Sequence, residues 1–568
     1  MFGNFLRSKK GRGGEILPDE VLLDATNLPG FDIEQFEGRV EHPVSRYSII
    51  AIASLFVIVV GTFGFRAYDL QVSRGNLFAE ASNNNRLSSE VVFALRGVIF
   101  DRNGTEIAWN EPSCTEGCSA EKEEYALRSY TKDIGLSHLL GFVRYPKTDK
   151  SGAWWRTEIV GVSGVESVFD DLLSGNNGKQ IVEIDALGAP VRQQLIEEAE
   201  DGENITLAID SDVQSFLHTQ LAEHARRQGF LGGASVIIDV ENGEVLALTS
   251  FPEFESQAMT DGESSKVSAY ASDLGTPFLN RAISGVYTPG SIVKPIFAAA
   301  ALAEKIISPD KSIYSAGFIT IPNPYDPDKP TIIRDWRAHG WTDMREALSV
   351  SSDVYFFSIG GGYEDQRGLG IAVLDKYARM FGLGSETGID LEGEVSGIIP
   401  TPEWKEQVFD GDDWRLGDTY NTSIGQYGFQ ITPVQAARFA AAIANGGKIV
   451  TPKILLDADT ITASIKVEDK DLAVVREGMR LAVVGERGTA ASLNVRGVSI
   501  AAKTGTAEVG NKKQWINSWA IGFWPAEDPK YAFATVLEKA PSGTLSGAAP
   551  AMRPFFEWLA LNHPEYSN

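Results

Sequence analysis

The chain has 568 residues, 43% of them hydrophobic and 22% charged, the proportions of a globular protein with several cores rather than of a disordered one. Its formal net charge of -25 argues against a nucleic-acid partner, which calls for clustered positive charge.

Residues 1–46 are polar, with Arg7, Lys9, Lys10 and Arg12 near the start and acidic residues behind them. No core can form there, and the segment reads as a tail. From Tyr47 to Phe65 no charge interrupts the run, so residues 47–66 have the ~20-residue length of one bilayer crossing. The basic cluster predicts a cytoplasmic N-terminus with the rest of the chain outside. A cleaved signal peptide has a shorter apolar region, about 7–15 residues, nearer the terminus; a buried core helix is the other alternative.

Residues 67–229 are mixed in pattern and hold no catalytic constellation. Arg96–Gly104 has short apolar steps flanked by turn formers, as a strand entering a tight surface hairpin would. Cys114 and Cys118 form a single C-x-x-x-C without nearby histidine, which does not suggest zinc; the pair is either a local disulfide or two free thiols.

The segment 230–568 opens at Gly232-Gly233. The apolar runs Ala234–Val240 and Val245–Ser250 flank Glu241-Asn242-Gly243-Glu244, and Asn-Gly between such runs predicts a hairpin. Ser518–Trp524 and Tyr531–Leu537 predict a second, and Ala551–Leu561 a closing helix. A sheet built from both ends of the segment, with helices from its middle, is an α+β architecture.

Three motifs lie between these ends. Thr288-Pro289-Gly290-Ser291-Ile292-Val293-Lys294-Pro295 runs into Ile296–Leu302, which predicts a turn and then a buried helix starting at Ser291. Residues three apart share a helix face, so the Ser291 hydroxyl and the Lys294 amine can touch. A lysine against apolar surface loses hydration and becomes a base, and the helix start offers free N–H groups for an oxyanion. Alone, S-x-x-K matches many solvated helices. Ser351-Ser352-Asp353 lies inside the apolar-periodic Met344–Phe357, where it reads as an N-cap or as a helix end at which both Ser351 and Asp353 turn inward. Lys503-Thr504-Gly505-Thr506 follows strand-like Val498–Ala502, and strand alternation turns Thr504 and Thr506 one way and Lys503 and Gly505 the other. Gly505, without a Cβ, admits a substrate backbone. Asp335 and His339 are too few ligands to argue for zinc.

In this order the motifs resemble the signature shared by class A β-lactamases and penicillin-binding proteins. The chain is similar to class B penicillin-binding proteins, membrane-anchored D,D-transpeptidases that cross-link peptidoglycan, and the Ser-x-Asp form resembles the elongation subtype more than the division subtype. The resemblance implies a penicilloyl-serine transferase (β-lactamase-like) domain over 230–568, its antiparallel sheet flanked by helices. It also implies a non-catalytic, dimerisation-type pedestal over 67–229, carried by Arg96–Gly104, Gly161–Asp170 and Leu173–Gly178. The short Trp109–Gly135 region puts in doubt partner contacts made through a head subdomain. No acidic motif of a glycosyltransferase is found.

By the same resemblance Ser291 is the nucleophile, Lys294 the base, and Ser351 a hydroxyl within the Lys294 and Lys503 network. Asp353 offsets the lysines, the N–H groups of Ser291 and Thr506 form the oxyanion hole, and Thr504 and Thr506 hold a substrate carboxylate. Gly425-Gln426-Tyr427-Gly428 resembles a Gly-Gln-Gly stretch interrupted by Tyr427 and reads as support for the cleft. The implied partners are peptidoglycan stem peptides, β-lactams as covalent inhibitors, the membrane, and a multi-span glycan polymerase of the shape, elongation, division and sporulation family; no metal or organic cofactor is called for. A β-lactamase or D,D-carboxypeptidase carries the same motifs, and an inactive cell-wall scaffold is a further alternative.

Overall fold

The computed structural model describes residues 45–84, 87–113, 125–150, 153–184, 190–322, 326 and 328–567. Cys114, Cys118 and the tail before Ser45 lie outside the described residues. Of these, the residues up to Ser88 and from Val182 to Arg192 form one body, and the remainder forms another.

In the first body, helix α1 spans Arg46–Tyr68, and Ser45 accepts a hydrogen bond from the Tyr47 N–H at its start. None of its residues is buried. Among the described residues, the helical run Arg46–Ser73 is the one long and apolar enough to cross a membrane, with a window of mean hydropathy 2.4.

The second body begins with a small sheet of β1 (Ile99–Phe100), β2 (Glu106–Glu111), β3 (Leu127–Tyr130) and β4 (Ile205–Thr206), in the order β4-β1-β2-β3. The β1–β2 hairpin is present, with Gly104 at φ 83°, but its flanks are not surface. Arg96 and Asp101 are buried. Arg96 Nε donates to Glu166 Oε2 at 2.6 Å and Arg128 Nε to Glu166 Oε1 at 2.7 Å, so one carboxylate holds two guanidinium groups from distant parts of the chain. Glu166 lies on the short helix α2 (Gly164–Val168).

Helix α3 (Ser211–Gln228), placed in the pedestal by its sequence position, packs instead on the large sheet. Val213, Leu217, Leu221 and Ala225 share a core with Ile237, Leu246, Phe533 and Phe555. An amphipathic pattern shows that a helix has a buried face and not which partner covers it. Asp101 ties the small sheet to this helix, accepting from Ser211 Oγ at 2.7 Å.

The large sheet comprises β5 (Gly232–Asp239), β6 (Val245–Phe251), β7 (Ala501–Val509), β8 (Trp515–Trp524) and β9 (Tyr531–Pro541), antiparallel throughout in the order β6-β5-β9-β8-β7. Both expected hairpins, β5–β6 and β8–β9, are there. Alternate residues feed two cores: Ala532, Ala534 and Val536 of β9 face one, Phe533 and Leu537 the other. Burial on both faces explains why these strands read as unbroken apolar runs. The second core is roofed by α3 and the closing helix Ala548–Asn562. The first is filled from the middle of the segment, including helix α4 (Lys294–Ala303), buried from Lys294 to Leu302. Strand β7 is an edge, next to the start of α4.

Candidate active site

Each motif sits where the backbone changes form. Gly290 adopts φ 56° and opens a single 3-10 turn, Gly290–Val293, which becomes α4 at Lys294 with Pro295 in its first turn. Three contacts fix this turn. Trp519 Nε1 of β8 donates to the Thr288 carbonyl at 3.0 Å, the Gly290 N–H donates to the Gly425 carbonyl at 2.9 Å, and β7 lies against it at Gly505. A Cβ on Gly505 would stand 2.7 Å from the Pro289 carbonyl and 3.2 Å from the Ile292 nitrogen. On this side the backbone that Gly505 admits is the chain's own, at Pro289 and Ile292.

The Ser351-Ser352-Asp353 motif falls between two helices. α5 (Met344–Ser349) ends as the Ser351 and Ser352 N–H groups bond back to the Leu348 and Ala347 carbonyls, with Ser351 in the left-handed region at φ 58°. Such a residue without glycine is uncommon and marks a constrained turn. Ser352 then caps α6 (Asp353–Gly361), accepting from the Tyr355 N–H. The N-cap role belongs to Ser352, and the break around it frees Ser351 and Asp353 to turn to the same side.

Lys294 and Lys503 meet there, both fully buried. Lys294 Nζ donates to Asp353 Oδ1 at 2.6 Å, to the Ser351 carbonyl at 2.9 Å and to Ser351 Oγ at 3.4 Å. Phe356 lies beneath it, its ring centre 5.2 Å away. Lys503 Nζ donates to the same Ser351 Oγ at 2.9 Å and to the Thr504 carbonyl at 2.8 Å. One hydroxyl thus bridges two amines. Ser291 is half-buried one turn before Lys294, and among the described residues its hydroxyl makes no hydrogen bond. The amine expected beside it is drawn to Asp353 because an ionised acceptor binds more strongly than a neutral hydroxyl.

Burial, reinforced by the Lys294 charge and opposed by Asp353, holds the Lys503 amine well below its ordinary range. Burial also raises the Asp353 carboxyl, with Asp335 adding to the effect and Lys294 opposing it. For Asp335 burial works upward too, but the His339 and Val354 N–H bonds and the Lys294 charge prevail and lower it.

Sequence reasoning undervalued Asp335 and passed over Trp336. Asp335 accepts from Ser352 Oγ at 3.1 Å and from the Val354 N–H at 3.0 Å, fastening the start of α6, and His339 Nε2 lies 3.3 Å from its other oxygen. Trp336 Nε1 donates to the Ser351 carbonyl at 3.2 Å. No local pattern announces either contact. Among the described residues no group of three metal-binding side chains is found.

On edge strand β7, Lys503 and Gly505 are buried, Thr504 is half-buried and Thr506 exposed, the alternation expected. Among the described residues neither threonine hydroxyl is hydrogen-bonded. Gly290 faces the Thr506 backbone, its Cβ position 2.9 Å from the Thr506 carbonyl, and an edge strand leaves every second N–H without a partner strand. Tyr427, the interruption in the glycine stretch, has φ 61° and stacks on Phe409 with Trp404 and Trp414 edge-on. This aromatic cluster holds the loop that carries Gly425 to the Ser291 turn.

Comparison with known proteins agrees with this layout. A family model described as Penicillin binding protein transpeptidase domain matches residues 233–557, and one described as Penicillin-binding Protein dimerisation domain matches residues 115–207. The peptidoglycan D,D-transpeptidase MrdA of Haemophilus influenzae is 31% identical over 484 residues, spanning 78% of this chain and 70% of that protein. Among solved structures, Pseudomonas aeruginosa PBP2 in complex with WCK 5153 is 28% identical with a TM-score of 0.66 over 84% of this chain and 100% of that one. Helicobacter pylori PBP2 in its complex with MreC is 26% identical with a TM-score of 0.68 over 83% and 98%.

Proposed function

The chain belongs to the penicillin-binding protein transpeptidases, as a class B member of the elongation subtype, and from that premise we propose that it cross-links peptidoglycan stem peptides through an acyl-enzyme on Ser291. The observation that carries this reading is the Ser351 hydroxyl shared by Lys294 and Lys503, with Lys294 one turn of chain after Ser291.

Ser291 Oγ attacks the carbonyl between the two terminal D-alanines of a donor stem. Its proton passes to Lys294 as Lys294 gives one to Ser351 Oγ and Ser351 gives one to the Lys503 amine, which burial biases toward the neutral, receiving form. Asp353 stays paired to Lys294 throughout and keeps the charge of the relay compensated. The N–H groups of Ser291 and Thr506 hold the oxyanion, and Thr504 and Thr506 the terminal carboxylate of the stem. When the tetrahedral intermediate collapses, the relay runs backwards and protonates the departing D-alanine amine. An amine of a neighbouring stem then attacks the ester, its proton leaves through the same groups, and Ser291 is regenerated. A β-lactam acylates Ser291 and stops there.

Helix α1 serves as a single-pass anchor with the basic N-terminus in the cytoplasm and the second body outside, as its apolar length and the preceding Arg7, Lys9, Lys10 and Arg12 support. The solved complex of an H. pylori relative with MreC, and a similar chain from a structure described as a peptidoglycan synthase complex, support partners drawn from the elongation system, a multi-span glycan polymerase among them.

Incubating the detergent-solubilised chain and Ser291→Ala with a fluorescent penicillin tests the nucleophile. Stable label on the parent alone is expected. A folded parent that takes no label would indicate a scaffold, and rapid drug hydrolysis a β-lactamase.

A further inference from the structure

Tyr427 takes no part in the proton relay, yet it holds a backbone conformation beside the site, φ 61°, that a bulky residue adopts only where its surroundings enforce it. It sits between two tethers to the chain that leads into Ser291. At one, the Gly425 carbonyl accepts from the Gly290 N–H at 2.9 Å; at the other, Ile431 and Tyr287 exchange N–H and carbonyl bonds, both at 3.0 Å. The first tether leaves no slack, since a Cβ on Gly425 would stand 2.2 Å from the Gly290 carbonyl. The backbone at Tyr427 therefore sets the path between the tethers, and with it the place of Gly290, one residue before Ser291.

A brace built from the preceding segment enforces this conformation. Its centre is Lys405, on helix α7 (Pro402–Val408), a cation whose side chain is 3% exposed. Lys405 Nζ donates to Asp418 Oδ2 at 2.8 Å and to the Asp413 carbonyl at 2.5 Å, pairs with Asp412 Oδ2 at 2.9 Å, and lies 5.9 Å from the centre of the Tyr427 ring. Asp418 belongs to helix α8 (Leu416–Ser423), where it also accepts from the Arg415 N–H at the helix start. The carbonyls of Thr422 and Asn421 in α8 receive the Gly425 and Gln426 N–H groups. Around the Tyr427 ring, Phe409 stacks and Trp404 and Trp414 stand edge-on. Without the lysine, Asp418 is left buried and unpaired, so the joint between the two helices depends on this one cation.

Resting on the transpeptidase reading, we propose that Lys405 and Tyr427 are positioning residues for the nucleophile. Lys405 locks α7 to α8, the aromatic group clamps the Tyr427 ring in its left-handed place, and the Gly425 carbonyl aimed in this way holds Ser291 where its hydroxyl attacks. This accounts for a tyrosine interrupting a glycine-rich stretch: a free glycine follows the turn, whereas a clamped tyrosine dictates it. The loss of either residue then falls on the chemical step and not on the encounter with the acyl donor.

The test follows covalent labelling of the full chain in detergent over a range of fluorescent penicillin concentrations, which separates the rate at saturation from the concentration giving half of it. Tyr427→Ala and Lys405→Met should each lower the saturating rate roughly ten- to hundredfold, the size of a displaced reacting group, and leave the half-saturating concentration unchanged. Their combination should lose no more than the larger single change, because both act through one carbonyl. Tyr427→Phe keeps the stacked ring and should label as the parent does. Thermal unfolding identifies the folded variants; if the first two do not fold, Phe409→Ala removes a ring that is 48% exposed and should lower the same rate. Folded variants that label at the parental rate, losses that fall on the half-saturating concentration, or losses that multiply in the double variant would overturn the proposal alone. A parent that takes no penicillin would overturn the transpeptidase reading beneath it.

Discussion

Glu253, just beyond β6, joins the end of that strand to the segment at Gly135 and Ser137. Its Oε1 accepts from the Gly135 N–H at 2.6 Å and its Oε2 from the Ser137 N–H at 3.2 Å, and its side chain is 13% exposed. Burial is the larger effect and pushes the carboxyl up to about 7, while the two backbone bonds pull the other way. His218 Nε2 lies 3.7 Å away, but burial lowers that imidazole to about 4, so at neutral pH it supplies no countercharge. Ionising Glu253 in place, against an ordinary value of 4.5, costs about 3 kcal/mol. Below the ordinary value both folded and unfolded chains are protonated and the group is silent. Between 4.5 and about 7 the unfolded chain releases its proton first, so stability falls as pH rises, and above that range the full cost is present. From about pH 5 to about pH 8 the loss is about 2.5 kcal/mol. Glu253→Gln cannot titrate and lacks this slope. Urea unfolding of both full chains, followed by tryptophan fluorescence at the two pH values, should show the variant gaining about 2.5 kcal/mol on the parent. Curves that shift in parallel would refute the reasoning.

Lys503→Arg replaces a titratable amine with a permanently charged group at the end of the relay, and penicillin labelling should slow on the order of a hundredfold or more. In the parent the labelling rate should rise with pH through a value below the ordinary lysine range, because the neutral amine is the receiver; a flat profile would remove Lys503 from that role. Gly505→Ala sets a methyl group 2.7 Å from the Pro289 carbonyl, displaces the Ser291 turn, and should slow labelling at least about tenfold while the protein stays folded; unchanged labelling would show that the turn does not need this approach. Glu166→Gln strips the charge between Arg96 and Arg128 and should destabilise the chain by about 3–5 kcal/mol in a denaturant titration, with a loss under about 1 kcal/mol contradicting a shared buried partner.

The sheet was legible because its strands are apolar runs closed by turn chemistry, with Asn242-Gly243 in one of the two hairpins. The site was legible as three motifs because each places its residues within a few positions of one another. What joins the motifs was not. Lys294 reaches Asp353 and Lys503 reaches Ser351 across long stretches of chain, and no periodicity encodes such pairings, so the expectation of a Ser291 and Lys294 contact took the nearest partner in sequence. Gly505 marked a place of close approach, but absence of a Cβ does not say what fills the space, so the approach of Pro289 and Ile292 to it was not foreseen. Trp336 and the Arg96–Glu166–Arg128 group were invisible for the same reason as the relay. Helix α3 lies before the boundary drawn at residue 229 yet packs on the large sheet, because position along the chain does not say which core covers a helix.

The central claim is transfer of the acyl group to an amine and not to water. The direct measurement supplies the detergent-solubilised chain with uncross-linked glycan strands bearing pentapeptide stems, digests the product to muropeptides, and resolves them by mass spectrometry beside Ser291→Ala. The account predicts cross-linked dimers that appear together with free D-alanine in the parent and are missing from the variant. D-alanine released with only trimmed monomeric stems, or dimers that persist without Ser291, would contradict it.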